Sequence, residues 1–294
     1  MPSTRDIRRR IKSVKNTAQI TKAMQMVAGA KMRKAQQAAL VGRPYAELLN
    51  GILAEAAPRI ASFKHPLLEA RPVRKRAVIV VSTDRGLCGA LNSNLFREAA
   101  KLDTDATTFI AAGKKGAQFL ARTRRRLAAE FTYKDTPTFA EARAISRFAQ
   151  DLFLEGGADA VDVLFTNFVS TLVQQPKTVP LLPVGEIRAV TAGVNAPAPE
   201  PPATGGPRTD VFEFEPDEKT VLGALLPHSL NFQMHQILLE ARASEHSARM
   251  VAMKNATDNA QQLIKDLTLE YNKLRQSNIT KELLEIATAQ MAVG

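Results

Sequence analysis

The chain has 294 residues, 45% of them hydrophobic, and a formal charge of +11, enough for one large domain or two smaller ones with a true core. No run reaches the roughly 18 apolar residues of a membrane span, and the polar, basic start from Met1 to Lys15 lacks the apolar stretch of a secretory signal. Cys88 is the only cysteine, so no intrachain disulfide can form, and the expectation is a soluble protein of a reducing compartment.

From Met1 to Arg43 eleven Lys and Arg face only Asp6, so this segment carries +10 and the rest of the chain about +1. So one-sided a run expects an acidic partner: nucleic acid, an anionic membrane surface or an acidic protein surface. A solvated helix face is the plainer alternative. The segment from Ser3 to about Ala57 reads as a long helix. Ile7, Ile11, Val14, Ala18, Thr21, Gln25, Ala28, Met32 and Ala35 alternate four and three apart, the repeat of a coiled-coil seam with one polar exception. A second stripe, Ile20, Met24 and Val27, lies beside it. Gly29 weakens this helix, and Pro44 should bend or break it.

The middle of the chain changes period. Ala77–Ser82, Thr107–Ala111, Val161–Phe165 and Thr178–Leu182 are short β-branched or apolar runs and read as strands. Helical stretches at Leu91–Leu102, Lys114–Arg122 and Phe139–Leu154 alternate with them, which predicts a βαβ domain with a largely parallel sheet. Val194 to Arg208 is a Pro/Ala/Gly tract read as a surface loop, and Phe212–Phe214 is a candidate returning strand. From His228 to Val293 there is neither Pro nor Gly. A helix of that length would span on the order of 100 Å. Its seam runs Leu239, Ala243, His246, Met250, Met253, Thr257, Ala260, Ile264, Leu267, Tyr271 and Leu274. A helix so long needs a helical partner, and the only comparable seam is at the other end of the chain. The divisions are therefore 1–57 and 216–294 for the paired helices and 74–215 for the domain between them.

No catalytic constellation emerges. Gly113-Lys114-Lys115-Gly116 lacks the spacing of a phosphate-binding P-loop. Gly86-Leu87-Cys88-Gly89-Ala90 follows the first strand, where a nucleotide fold places its phosphate turn, but does not match G-x-G-x-x-G. The four histidines show no metal spacing. Cys88 has no neighbouring base in sequence and reads as a small buried apolar residue. Met24, Met26, Met32, Met250 and Met253 read as packing, and Met24 equally as an adaptable surface for a partner.

The residues themselves resemble a known family. Ile11-Lys12-Ser13-Val14-Lys15-Asn16-Thr17, then Ile20-Thr21-Lys22-Ala23-Met24 and Lys31-Met32-Arg33-Lys34-Ala35, are similar to the N-terminal helix of gamma subunits of F-type ATP synthases. Ser82-Thr83-Asp84-Arg85-Gly86-Leu87-Cys88-Gly89 resembles the first turn of their α/β domain. The C-terminal run is the strongest match: Ala243-Ser244-Glu245-His246, Arg249-Met250, Asn255-Ala256-Thr257-Asp258-Asn259, Tyr271-Asn272-Lys273, Arg275-Gln276, Ile279-Thr280 and Glu282-Leu283. Two features depart from the pattern: Gly29, where Ala or Ser is expected and which costs a helix about 1 kcal/mol, and the long Pro-rich tract.

The resemblance implies a long antiparallel coiled coil of the N- and C-terminal helices, with a central α/β domain that is Rossmann-like but binds no nucleotide. It implies a non-catalytic rotor shaft that couples rotation of a membrane ring to ATP synthesis in a proton-translocating complex. The expected partners are three alpha and three beta subunits, the epsilon subunit and the ring of c subunits. Membrane association would be indirect, at the cytoplasmic face of a bacterial inner membrane, with no cofactor, metal or nucleic acid. Lys22, Met24 and Gln25 are expected near an acidic loop of beta, and Arg249, Arg275, Gln276, Thr280 and Glu282 at further coupling contacts. The tip from Leu283 to Val293 would turn in an apolar sleeve. Two other classes compete on the residues alone. A nucleic-acid binder would interleave aromatics with its basic residues, and Met1–Arg43 has none. A small α/β enzyme would bring polar groups together at its strand ends, and the sequence displays no such set.

Overall fold

A computed structural model of the chain describes residues 3–42, 44–45, 48–49, 52, 65–184, 215 and 217–293. It divides into two compact units, Met1–Ala28 with Met250–Gly294, and Gly29–Arg249. Helix α1 (Thr4–Val41) and helix α5 (Glu218–Val293) contribute residues to both. The Pro-rich tract, the strand expected at Phe212–Phe214 and the helix end expected near Ala57 lie outside the described residues.

In the first unit two helix segments pair along the predicted seam. Ser3 opens α1 by accepting the Asp6 backbone N–H at 3.2 Å and donating its hydroxyl to the Asp6 carboxylate at 2.7 Å. The Ser3 hydroxyl and the Ser3 N–H, both donating to the Asp6 carboxylate, hold that carboxyl below its ordinary range. Ile7 and Ala28 are buried, Ile11, Val14, Ala18, Thr21 and Gln25 half-buried, and the residues between mostly exposed. On α5, Met253, Thr257, Ala260 and Leu267 are buried, with Met250, Ile264, Tyr271 and Leu274 half-buried. Arg8 donates to the Tyr271 hydroxyl at 2.5 Å, with its guanidinium over the ring. The Thr21 and Thr257 hydroxyls meet at 2.7 Å. One position advances along α1 as the other retreats along α5, so the pair is antiparallel. Of the second stripe, Ile20 and Val27 stay outside this seam at 60% and 55% exposed, while Met24 is half-buried. Beyond Leu274 every described α5 side chain is exposed, including Ile279, Leu283, Leu284, Ile286 and Met291.

The second unit is built on a five-stranded sheet. Its strands are β1 (Arg76–Val81), β2 (Thr107–Ala112), β3 (Leu127–Phe131), β4 (Ala160–Phe168) and β5 (Gln174–Leu182), in the order β3-β2-β1-β4-β5. Only the β4–β5 pair is antiparallel. Helices α2 (Leu91–Ala100) and α3 (Lys114–Arg122) cover one face, where Leu95, Ala99, Ala117 and Leu120 pack on Val78, Val80, Phe109 and Leu164. Helix α4 (Phe139–Leu154) and α5 cover the other, where Ile145, Ala149, Phe153, Leu230, Met234 and Leu238 meet Ile79, Ile110, Val163 and Phe165. Because β1 is buried on both faces it reads as one continuous apolar run, which is why the sequence marks it clearly.

Three features depart from the expected elements. The strand Leu127–Phe131 is additional; it is an edge strand whose residues alternate half-buried and exposed, and its Ala and Glu residues give little β signal. Strand β5 starts four residues early and holds Pro176 and Pro180, which an edge strand tolerates because an outward N–H is not needed there. Helix α5 begins at Glu218 and runs through Pro227. Asp217 caps its start by accepting the Thr220 N–H at 2.8 Å, and buried Leu222, Leu226 and Leu230 hold the turns around the proline. The break expected near Pro44 does occur: α1 ends at Val41 and Gly42 is a turn.

Candidate functional site

Open α/β sheets bind ligands beyond the carboxyl ends of their strands, where successive crossovers leave in opposite directions. Here the chain moves from β1 to β2 and β3 on one side, then crosses to β4 on the other. The switch point therefore lies between β1 and β4, flanked by the loop from Ser82 to Ala90 and the turn after Phe168. The residues of α5 from Glu240 to Arg249 occupy it.

Arg242 lies at the centre, with a side chain only 2% exposed. Its guanidinium donates to Glu245 at 2.5 Å, to Asp84 at 3.1 Å and to the Lys134 carbonyl at 3.2 Å, and also to the Tyr133 carbonyl. It sits 4.0 Å from the Tyr133 ring centroid. Burial disfavours the Arg242 charge, but Tyr133, Glu245 and Asp84 more than compensate and raise its pKa. Burial likewise pushes the Tyr133 phenol up, and its hydroxyl donates to the Ser82 carbonyl at 3.1 Å. Glu245 carries the network onward by accepting from Arg249 at 2.7 Å. Arg249 in turn donates to the Gly86 carbonyl at 3.3 Å and approaches His246 Nδ1 at 3.3 Å. Burial pushes His246 down to about 4, so it is neutral at physiological pH.

The opposite flank of the same helix turns grips β4. Ser244 donates to the Thr166 carbonyl at 2.9 Å, and Ser247 to the Thr171 carbonyl at 2.7 Å. Glu240, 2% exposed, accepts the Phe168 N–H at 3.2 Å through Oε1, while Oε2 meets no donor among the described residues. Burial raises Glu240 to about 7, against which the Phe168 N–H and Lys177 work only in part.

Gly113 and Gly116 have packing explanations, whereas a Cβ at Gly86 would meet nothing. Gly113 has a φ of 110°, and a Cβ there would collide with the Ser82 carbonyl. A Cβ at Gly116 would come within 2.8 Å of Ser82 Oγ, which instead accepts the Gly116 N–H at 2.7 Å. The start of α3 is closed further by Asp84, which accepts the Lys114 N–H at 3.0 Å. In the loop after β1, Leu87 and Gly89 both have positive φ, near 60°. Cys88 is buried, receives the Asn92 amide at 3.6 Å and has its thiol pushed up by burial. The site is therefore filled by the chain's own side chains. Among the described residues no cluster of His, Cys, Asp and Glu could hold a metal ion.

The sequence-derived contact residues fall in three places. Lys22 is exposed with its Nζ 3.4 Å from Gln25 Oε1, and Met24 and Gln25 are half-buried beside it. Arg275, Gln276, Thr280 and Glu282 are exposed on α5, after the seam has ended. Arg249 stands apart; its side chain is 12% exposed and engaged internally. Sequence reasoning missed Asp84, Tyr133, Glu240 and Arg242. One usable signal was the run Arg242, Glu245, Arg249, opposite charges three and four apart on a helix flanked by apolar residues.

A family model described as ATP synthase matches residues 3–293. The chain is 50% identical to the ATP synthase gamma chain of Opitutus terrae over 298 residues, and 46% identical to that of Methylacidiphilum infernorum over 299, with all of each chain covered. Among solved structures it is similar to a chain of the Euglena gracilis mitochondrial ATP synthase in an OSCP/F1/c-ring assembly. That match has a TM-score of 0.66 at 20% identity and covers 99% of this chain and 94% of the other. A rotor chain of the same enzyme matches at a TM-score of 0.62 and 21% identity, covering 94% and 98%. A buried network in place of a ligand, two seams that pair antiparallel, and full-length identity of this order converge: the chain belongs to the ATP synthase gamma-chain family.

Proposed function

We propose that the chain is the central rotor shaft of a proton-translocating F-type ATP synthase. It would couple rotation of a membrane c-ring to the conformational cycle of a ring of three alpha and three beta subunits. The observation that carries this is the full-length identity to ATP synthase gamma chains. The solved assemblies of similar fold include a rotor and an OSCP/F1/c-ring complex. The chain itself is non-catalytic and works at the cytoplasmic face of a bacterial inner membrane, attached through the c-ring and the epsilon subunit. A shaft without threefold symmetry touches three identical beta subunits differently, and each orientation favours a different state of each catalytic site. Shifting one site from 1:99 to 99:1 needs about 5.5 kcal/mol of differential contact, within reach of a few charged and hydrogen-bonded contacts.

Lys22, Met24 and Gln25 are proposed as contacts to an acidic loop of beta, supported by the exposed basic face around them. Arg275, Gln276, Thr280 and Glu282 are proposed as contacts farther along α5, where they are exposed among the described residues. Arg249 is proposed to act on coupling through the loop it holds at Gly86. The test is replacement of the gamma chain in a bacterial ATP synthase by this chain. Restored ATP-driven proton pumping in inverted vesicles, with alpha, beta and epsilon retained at normal stoichiometry, is expected. Assembly without pumping, or no assembly, refutes the reading.

A further inference from the structure

We propose that Arg242 is a positioning residue that locks α5 in register against the sheet, so that torque applied to the sheet domain turns the helix instead of letting it slip. The proposal rests on the rotor reading above. Within three turns of α5, polar groups hold both flanks of the helix. On one flank Arg242 reaches Asp84 after β1 and the carbonyls of Tyr133 and Lys134 after β3. On the other, Glu240, Ser244 and Ser247 hold Phe168, Thr166 and Thr171 at the end of β4. Rotation of the helix about its axis must break one flank. A slide of one turn, about 5.4 Å, must break both.

Packing alone does not call for a guanidinium here. A buried ion network is often no more stabilising than apolar side chains of the same volume, and its best attested benefit is fixing one register. Apolar contacts such as those of Leu238 and Ala241 with the sheet are non-directional and resist sliding weakly. The fork of Arg242, with three acceptors outside α5 in fixed directions and a ring beneath it, is directional.

The variant that tests this is Arg242→Met in the full chain, assembled into the ATP synthase. It leaves no anion stranded. Glu245 keeps Arg249 at 2.7 Å, and Asp84, 24% exposed, keeps the Lys114 N–H at 3.0 Å. Protons pumped per ATP hydrolysed in inverted vesicles should fall at least about threefold, at the lower end of what a lost network interaction is worth. Arg242→Lys keeps the charge without the fork and should fall between. A merely structural Arg242 would lower the thermal midpoint of the isolated chain and the yield of complex, and leave the ratio unchanged in the complexes that assemble; that result overturns the proposal. If the Met variant does not assemble, Arg242→Lys and Asp84→Asn decide, and an unchanged ratio in both overturns it equally. Failure of the unmodified chain to restore pumping removes the rotor reading, and the lock with it. A ratio lowered by Arg242→Met but not by Arg249→Gln supports the lock and withdraws Arg249 from the coupling contacts.

Discussion

Glu240→Gln should stabilise the isolated chain above neutral pH and have little effect in acid. The carboxyl is buried between α5 and the end of β4, with one oxygen satisfied by the Phe168 N–H and the other meeting no donor among the described residues. Its folded-state pKa is raised from 4.5 to about 7. Between those values the folded chain holds a proton that the unfolded chain has released. Stability therefore falls as pH rises through that window and levels off above it. A difference of that size corresponds to about 3 kcal/mol at pH 8. Glutamine keeps the shape and the acceptor for Phe168, removes the charge, and never titrates. The variant should unfold about 2–3 kcal/mol harder than the parent at pH 8, and the gap should close below pH 5. Thermal or urea midpoints of both chains from pH 4.5 to 8.5 measure it, because groups common to both cancel in the difference. A gap of the same size at every pH would show that Glu240 does not titrate in this window, and would refute the reasoning.

Further outcomes follow from the same geometry. His246, lowered by burial to about 4, is neutral in the fold while its unfolded form charges below about 6.5; stability is thus lost on acidification, and His246→Asn should lose less between pH 7 and 4.5 in the same melts. Thr138 caps α4 in a reciprocal pair with Glu141, so Thr138→Ala should cost about 1 kcal/mol, read from the urea midpoint. Peptides covering 4–28 and 250–290 should each be poorly helical alone and gain helix on mixing, by circular dichroism, because each buries only one face. Met24→Lys should lower proton pumping more than ATP hydrolysis, and Met24→Leu should change little; vesicles assayed for both activities decide.

Where one physical cause dominates, the sequence is readable. The seam of α1 was predictable position by position from Ile7 to Ala28, since an isolated pair of helices has only one face to hide. Three of the four expected strands, β1, β2 and β4, were legible because central strands are continuous apolar runs. Strand β3 and the first turns of α5 were not: an edge strand needs few β-formers, and Pro227 argues locally for a break that packing overrides. The contact residues Lys22, Gln25, Arg249, Arg275, Gln276, Thr280 and Glu282 came from resemblance alone, and Met24 from resemblance together with its reading as an adaptable surface. Arg249 apart, nothing in their spacing marks them, since an exposed residue awaiting a partner looks like any solvated residue. Arg249 illustrates the limit, because its carbonyl partners at Arg85 and Gly86 are some 160 residues away in sequence.

The network at the sheet edge also explains why periodicity fails along one stretch of α5. The seam positions Leu239, Ala243 and His246 were expected to face only a partner helix. From Leu238 to Ser247 every side chain is instead buried, because these turns are covered on more than one side. Ala243 still meets Ala35 of α1, as the heptad requires, together with Phe168 of β4. Arg242 reaches the loops after β1 and β3 on another face, and Glu245 pairs with it along the helix. A helix covered all round normally turns apolar all round. This one keeps charges and hydroxyls there: Arg242 reaches Asp84 and Ser247 the Thr171 carbonyl in loops that leave the sheet, Ser244 and Glu240 bond the backbone at the end of β4, and Arg242 pairs with Glu245 along the helix. Those loops surround the crevice where open sheets of this topology hold ligands. The same strand-end geometry that would hold a phosphate in an enzyme here holds a helix.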